Sequence, residues 1–477
     1  MERHWIHVLC AGAVALGCAG CGQTAGTASP AKITEITVWT YYNDDQLESF
    51  NQIVDTFNET VGKEKGIHVS SYSQGSVNDL EINVVNSAEG KVGADPLPNI
   101  FSGYADTAYT LERMGLVVDL SPYFTQEERD AYFESYLTEG DFDGDGSIKI
   151  FPTAKSTEVL FLNDTDWQPF AQANGASYED LATIEGVVET AQRYYDWTDA
   201  QTDAPDDGKA LFGRDAMANY MLIGARELGC TIFDVRDGAM TLHFDEDVAR
   251  ALWDNYYVPF VKGWFSAVGH YRSDDVKTGN ILAYVGSSSS GSFFPDQVMT
   301  SDTESHDIEL KALPCPDFRD GKKVAVQQGA GMVVTKGTDD QIAASVEFLK
   351  WSTAPENNIS FSVSSGYLPV THEAADMETI RASAPELSPK IEQVLSQAVQ
   401  EVESDELYTT RAFAGGKEAR AVLEYAMSDQ AEADRAVVTE RLAQGQSLDE
   451  AAAEFLTDAH FQSWYQDLKS RLEAYQG

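Results

Sequence analysis

SVEFLKWSTAPENNISFSVSSGYLPVTHEA, residues 345–374, reads as helix, short break, helix and a tight extended exit. Just upstream, Thr338 with Gln341 makes a capping box, and Ile342, Val346 and Leu349 follow one helical face. Thr353 with Glu356 makes a second box, with Pro355 in the first turn, where a missing N–H costs little. Gly366 stops that helix as a left-handed cap residue. The chain then leaves extended through Tyr367 to Val370, because Pro369 forbids helix there.

Around this stretch lie 477 residues, too many for one compact core, so two lobes are expected. Strands at 33–39, 66–69 and 97–101 alternate with helices at 44–58, 80–88 and 107–114. That is the spacing of βαβ units, and the class is α/β with a largely parallel sheet. Ligands of such sheets sit beyond the carboxyl ends of the strands. The rule selects Trp39 and Tyr41, Gln74 and Ser76, and Tyr104 and Asp106. Rings stack on the apolar face of a polyol, while amides and carboxylates match its hydroxyls. Ordinary loop or core packing is the alternative for each residue. A second lobe follows at 164–310, with helical patterns at 181–195, 214–228 and 245–264. A buried strand at 281–285 then leads into the Ser/Gly turn 286–291, which carries Ser287 and Ser288.

The pattern FLKW, T-x-PE and GYLPV over 348–370 resembles the extracellular solute-binding proteins of ABC importers, in the branch serving sugars and glycerol phosphates. The resemblance runs from Ile33 to about Leu423. It implies an α/β, two-lobe, periplasmic-binding-protein-like fold of type II with three interlobe crossings and a helical C-terminal extension. The N-terminal lobe would comprise 33–154 plus 315–363, and the C-terminal lobe 158–312 plus 367–477. The crossings would lie near Pro152–Glu158, Ala312–Cys315 and Gly366–Val370. By the same resemblance Ser156, Thr157 and Glu158 line the cleft floor, and Ser287 and Ser288 face the ligand. The turn with Gln328, Gly329 and Gly331 approaches the ligand through its backbone, and Tyr367 stands in the last crossing. Arg411 takes the place of the late arginine of glycerol-phosphate binders, a surface arginine being the alternative. Glu158 interrupts an apolar strand, and an unpaired buried charge is costly.

The N-terminus reads as a signal peptide over 1–20: Arg3 and His4 precede an apolar run at 8–17, too short to span a bilayer. Ala19-Gly20-Cys21 fits a lipidation site, with Cys18 as the competing cysteine and cleavage without lipid as a third alternative. Residues 21–32 would tether the body to the membrane. Outside that segment only Cys230 and Cys315 remain, as one disulfide or two free thiols. Lys and Arg total 33 against 77 Asp and Glu, a formal charge of −44. Such a polyanion excludes nucleic acid and anionic headgroups as partners.

Asp141, Asp143 and Asp145 with Gly146 match the start of a calcium loop, but its twelfth position is Pro152 rather than Glu. An acidic hairpin turn is the alternative to calcium, and no other cofactor is expected. There is no HExxH, Walker loop or GxGxxG after a strand, and GSSSS at 286–290 fails the last position of G-x-S-x-G. An enzyme is therefore not expected. The leading expectation is a monomeric, lipid-anchored receptor on the outer face of the cell membrane, passing a small solute to ABC permease subunits. The same fold binding a cationic ligand such as a polyamine, through Glu158, Asp106 and the aromatics, is the second. A cell-surface glycan-processing enzyme is the third.

Overall fold

The Thr338 hydroxyl accepts the Gln341 amide while the Gln341 side chain reaches back, so the box opens its helix as the spacing predicts. The structure, a computed structural model, describes residues 33–301 and 303–477, the side chain of Thr300 excepted. The expected signal segment and tether, with Cys18 and Cys21, lie outside the described residues.

Lobe 1 begins with β1 (Thr34–Thr40), α1 (Asp44–Glu59), β2 (Ile67–Ser73), α2 (Val77–Ala88), β3 (Ile100–Gly103) and α3 (Ala105–Arg113). Lobe 2 holds β4 (Glu158–Asn163), β5 (Phe212–Arg214), α4 (Met217–Glu227), β6 (Ala283–Ser287) and β7 (Leu310–Leu313). The chain then passes β8 (Val324–Val326) and re-enters lobe 1 as β9 (Gly331–Val334), α5 (Asp339–Ser352) and α6 (Pro355–Ser365). It ends with α7 (Pro389–Ser404), β10 (Glu406–Tyr408), α8 (Gly416–Ala443) and α9 (Asp458–Glu473).

The lobe 1 sheet runs β9-β3-β1-β2, parallel except for β9, and the lobe 2 sheet runs β7-β4-β6-β5. One apolar core, with Leu160, Met221 and Leu252, lies on one face of the lobe 2 sheet; a second, with Val38, Phe57 and Ile100, starts in lobe 1 and runs on to Phe161 and Tyr284 on the other face of the lobe 2 sheet. Helices α8 and α9 pack on lobe 2, and the short helix Met377–Ser383 packs on α6.

Two expectations are corrected. Thr353 does not cap α6, which starts at Pro355 after Ala354. Its hydroxyl instead meets the Leu349 carbonyl (2.9 Å) and the Tyr132 hydroxyl (2.7 Å), closing α5. The second crossing starts later than the expected Ala312–Cys315, because Leu310–Leu313 pairs antiparallel with β4 and belongs to the lobe 2 sheet. The link is 314–330.

At the waist the crossings bond to one another. Lys155 N–H donates to the Leu368 carbonyl (3.2 Å), and Ser156 and Gln328 exchange two backbone bonds (3.1 and 2.9 Å). Gly366 ends α6 at φ 74°, and a Cβ there would stand 3.0 Å from the Ser289 carbonyl oxygen. Both the left-handed backbone and the close approach require glycine.

Glu227 closes α4 beneath the second crossing, 5% exposed, and accepts the Phe318 amide (2.7 Å). Burial pushes its carboxyl up to about 8. An unfolded glutamate ionises near pH 4.3, so the folded protein holds a proton that the unfolded chain releases. The stability this group contributes is complete below about pH 4 and is lost as pH rises through 8. Glu227→Gln cannot ionise, so its unfolding free energy in denaturant melts should fall less than the wild-type value between pH 5 and pH 8. The difference should be on the order of a few kcal/mol; parallel profiles would show that Glu227 does not titrate there.

Candidate ligand cleft

Two cavities lie between the lobes, an inner one of 680 Å³ at the waist and an outer one of 1230 Å³. Val77, Asn78 and Tyr271 line both, so they form one groove. The inner wall carries Tyr104, Asp106, Ser156, Ser287, Gln328, Gly329, Tyr367 and Arg411 from the sequence-based candidates. Tyr41 and Ser76 line the outer cavity. The tyrosines connect the two: the Tyr41 and Tyr367 hydroxyls lie 3.2 Å apart, and the Tyr41 and Tyr104 rings stack with centroids 6.3 Å apart.

The other candidates lie behind this wall. Trp39 is 6% exposed and packs in lobe 1 with Phe101 and Val333, because β1 runs on to Thr40 and is covered on both faces. The Gln74 side chain is held by Asn83 (2.9 Å). Thr157 and Ser288 are buried against each other through the Ser288 amide and the Thr157 carbonyl (2.8 Å). Gly331 is a strand residue of β9, where a Cβ would stand 2.3 Å from Ile150. Glu158 has the partner its burial demands: its carboxylate accepts Arg214 Nη2 (3.0 Å) and Asn219 Nδ2 (2.7 Å). Asn219 in turn accepts from Arg420, and both Asn219 and Arg420 line the inner cavity. Glu158 therefore faces the cavity only through that relay.

Several wall residues were not among those candidates. Asn219 sits in an otherwise apolar helix, MANYMLIGA, and that polar interruption was the available signal. Arg420 lies in an Ala- and Glu-rich helix that reads as solvated, and its approach to the cavity is tertiary. Lys155, fully buried, pairs with Glu139 of the inner wall and donates to the Gly329 carbonyl (2.8 Å). Gly329 itself turns at φ 88° with Ala154 against it, where a Cβ would stand 2.6 Å from the Ala154 carbonyl oxygen.

Of the inner carboxylates, Glu139 is neutralised by Lys155 and Glu81 by Lys417. Among the described residues Asp106 is the inner-wall carboxylate without a salt bridge. Burial raises it to about 6 against the pull of Arg420. The wall thus offers ring faces, side-chain amides, hydroxyls, a carboxylate and the Arg411 guanidinium. This is the equipment for holding a polar solute with apolar faces.

The acidic turn is internally satisfied. Asp141 accepts the Asp145 and Gly146 amides (2.9 and 3.1 Å), while Asp143 binds Arg113 (2.6 Å) and Lys149 (3.0 Å). Both oxygens of Asp143 are taken by cations, so the turn does not fit calcium. Among the described residues no three His, Cys, Asp or Glu side chains are grouped as a metal ion requires. Cys230 and Cys315 are free thiols.

A model of bacterial extracellular solute-binding proteins matches residues 52–388. None of the curated proteins matches the chain in sequence. Among solved structures, the cyclic alpha-maltosyl-1,6-maltose binding protein from Arthrobacter globiformis aligns with a TM-score of 0.65 at 17% identity, over 93% of this chain and 100% of that one. UgpB from Mycobacterium tuberculosis in complex with glycerophosphocholine aligns with a TM-score of 0.66 at 18% identity, over 92% and 98%. The GacH receptor of Streptomyces glaucescens GLA.O, solved unliganded and with acarbose, aligns with a TM-score of 0.62 at 14% identity, over 93% and 100%. At these identities the likeness establishes the two-lobe fold.

Proposed function

The chain belongs to the bacterial extracellular solute-binding proteins, and from that membership we propose that it captures a sugar, oligosaccharide or glycerol-phosphate compound in the interlobe cleft for delivery to an ABC permease. The observation that carries the ligand class is the inner wall, where Tyr104 and Tyr367 line one cavity together with Asn219, Gln328 and Ser156. Rings cover the apolar faces of a sugar or polyol, and amides and hydroxyls match its hydroxyl groups. The similar structures are named for cyclic alpha-maltosyl-1,6-maltose, glycerophosphocholine and acarbose, which supports the same class. Arg411 at the cavity mouth suits the phosphate of a glycerol-phosphate ester.

The receptor works as a monomer held outside the cell by a lipid on Cys21. No helix among the described residues is long and apolar enough to cross a membrane. It binds without turnover, in keeping with the solute-binding family to which it belongs.

A cationic solute is the second reading, favoured by Asp106, which lacks a salt bridge beside Tyr104. A thermal-shift screen of the mature chain separates the two. The panel holds oligosaccharides, monosaccharides, glycerol-phosphate diesters and polyamines. A true ligand at one hundred times its dissociation constant stabilises by about 2.7 kcal/mol. Shifts with sugars or glycerol phosphates support the first reading, and shifts with polyamines alone overturn it.

A further inference from the structure

Helix α8 begins without a cap. Gly415, at φ 81°, precedes it and brings no side chain, so the first-turn amides are left to find partners elsewhere. Lobe 1 comes to meet that end. Asp106 of α3 rests on the first residue of α8: a Cβ at Gly416 would stand 2.6 Å from Asp106 Oδ1. Beside it Glu81 of α2 forms an ion pair with Lys417. Tyr109 of α3 makes a similar approach to a lobe 2 hairpin of strands Phe233–Arg236 and Ala239–Leu242, where a Cβ at Gly238 would stand 2.5 Å from its hydroxyl. Three side chains of lobe 1 thus meet two glycine backbones and one lysine of lobe 2.

The placement of Lys417 is informative. A cation in the first turn opposes the helix dipole, so α8 gains nothing from it locally. Its partner is on the other lobe. Asp106, by contrast, brings negative charge to the end where the dipole favours it. The same contact walls off the inner cavity, because Glu81, Asp106, Phe413, Gly416 and Lys417 also line a depression on the far side, toward Arg113 and Lys91.

We propose that the Glu81–Lys417 pair, with Asp106 seated on the start of α8, is a latch that holds the lobes together before any solute arrives. Contacts of this kind shift an equilibrium by roughly tenfold. A receptor already closed for most of the time forfeits less of its intrinsic affinity to conformational change.

Solution X-ray scattering of the mature chain without added solute tests this. The wild-type curve should match the closed arrangement, that of this structure, in which Glu81 and Asp106 meet the start of α8. Glu81→Lys should scatter as a more extended particle, and the exchanged pair Glu81→Lys with Lys417→Glu should return to the closed curve. Hydrogen exchange at 413–420 should follow, with protection lost in the single variant and regained in the double. A cooperative melt distinguishes opening from misfolding; should Glu81→Lys fail to fold, Lys417→Glu alone serves the same comparison. An extended wild-type curve, a single variant that superimposes on wild type, or an exchange that fails to restore closure each overturns the latch. None of these outcomes depends on which solute binds.

Discussion

Replacing Lys155 by methionine is expected to lower the unfolding free energy by about 3–5 kcal/mol, the cost of stranding one member of a buried ion pair. Lys155 is fully buried in the first crossing, where its ammonium meets Glu139 and the Gly329 carbonyl and lies near the Tyr136 ring. Methionine fills similar space but leaves a glutamate, 5% exposed at its side chain, facing an apolar neighbour. Adding Glu139→Gln removes the stranded charge and should recover much of the loss. Denaturant melts of the two single variants and the double variant measure this coupling directly. Additive effects would mean that the pair is not a unit. The Gly329 turn would also lose its anchor, so solute affinity should fall in the Lys155 variant even where the protein is fully folded.

Tyr104→Ala should weaken binding of whichever solute the screen identifies by about 30-fold, or about 2 kcal/mol, the scale of a central aromatic anchor. Tyr104 stacks on Tyr41 at the junction of the two cavities and precedes the first turn of α3. Its ring supports the wall rather than either core, so the melting temperature should change little. Titration calorimetry on folded protein reads the affinity. An unchanged dissociation constant would move the site out of the inner cavity.

What the sequence made legible was local or periodic. The Thr338 box and the Gly366 stop depend on residues within one turn, and both appear where the pattern puts them. The βαβ alternation of lobe 1 is equally plain, as are the segments that follow its strands. Failures came where a distant partner decides. Thr353 has the right neighbour for a cap, but Tyr132, 221 residues away in sequence, helps hold its hydroxyl at the end of the preceding helix. Trp39 stands one residue before the end of its strand, and a strand covered on both faces gives no alternation to say where a ring points. Glu158 announced that it needed a partner without naming Arg214. The contribution of Arg420 depends on how a C-terminal helix docks, which neither composition nor period encodes.

The waist has a mechanical consequence. The first crossing is bonded on one side to the second, through Ser156 and Gln328, and on the other to the third, through Lys155 and Leu368. Three threads tied in this way form a leaf spring. Sliding one against another would break backbone bonds, whereas twisting the whole ribbon would not. The two halves therefore share a single easy coordinate, and any displacement of one sweeps the cavity wall along a set arc. A probe on either half should relax with the same time constant.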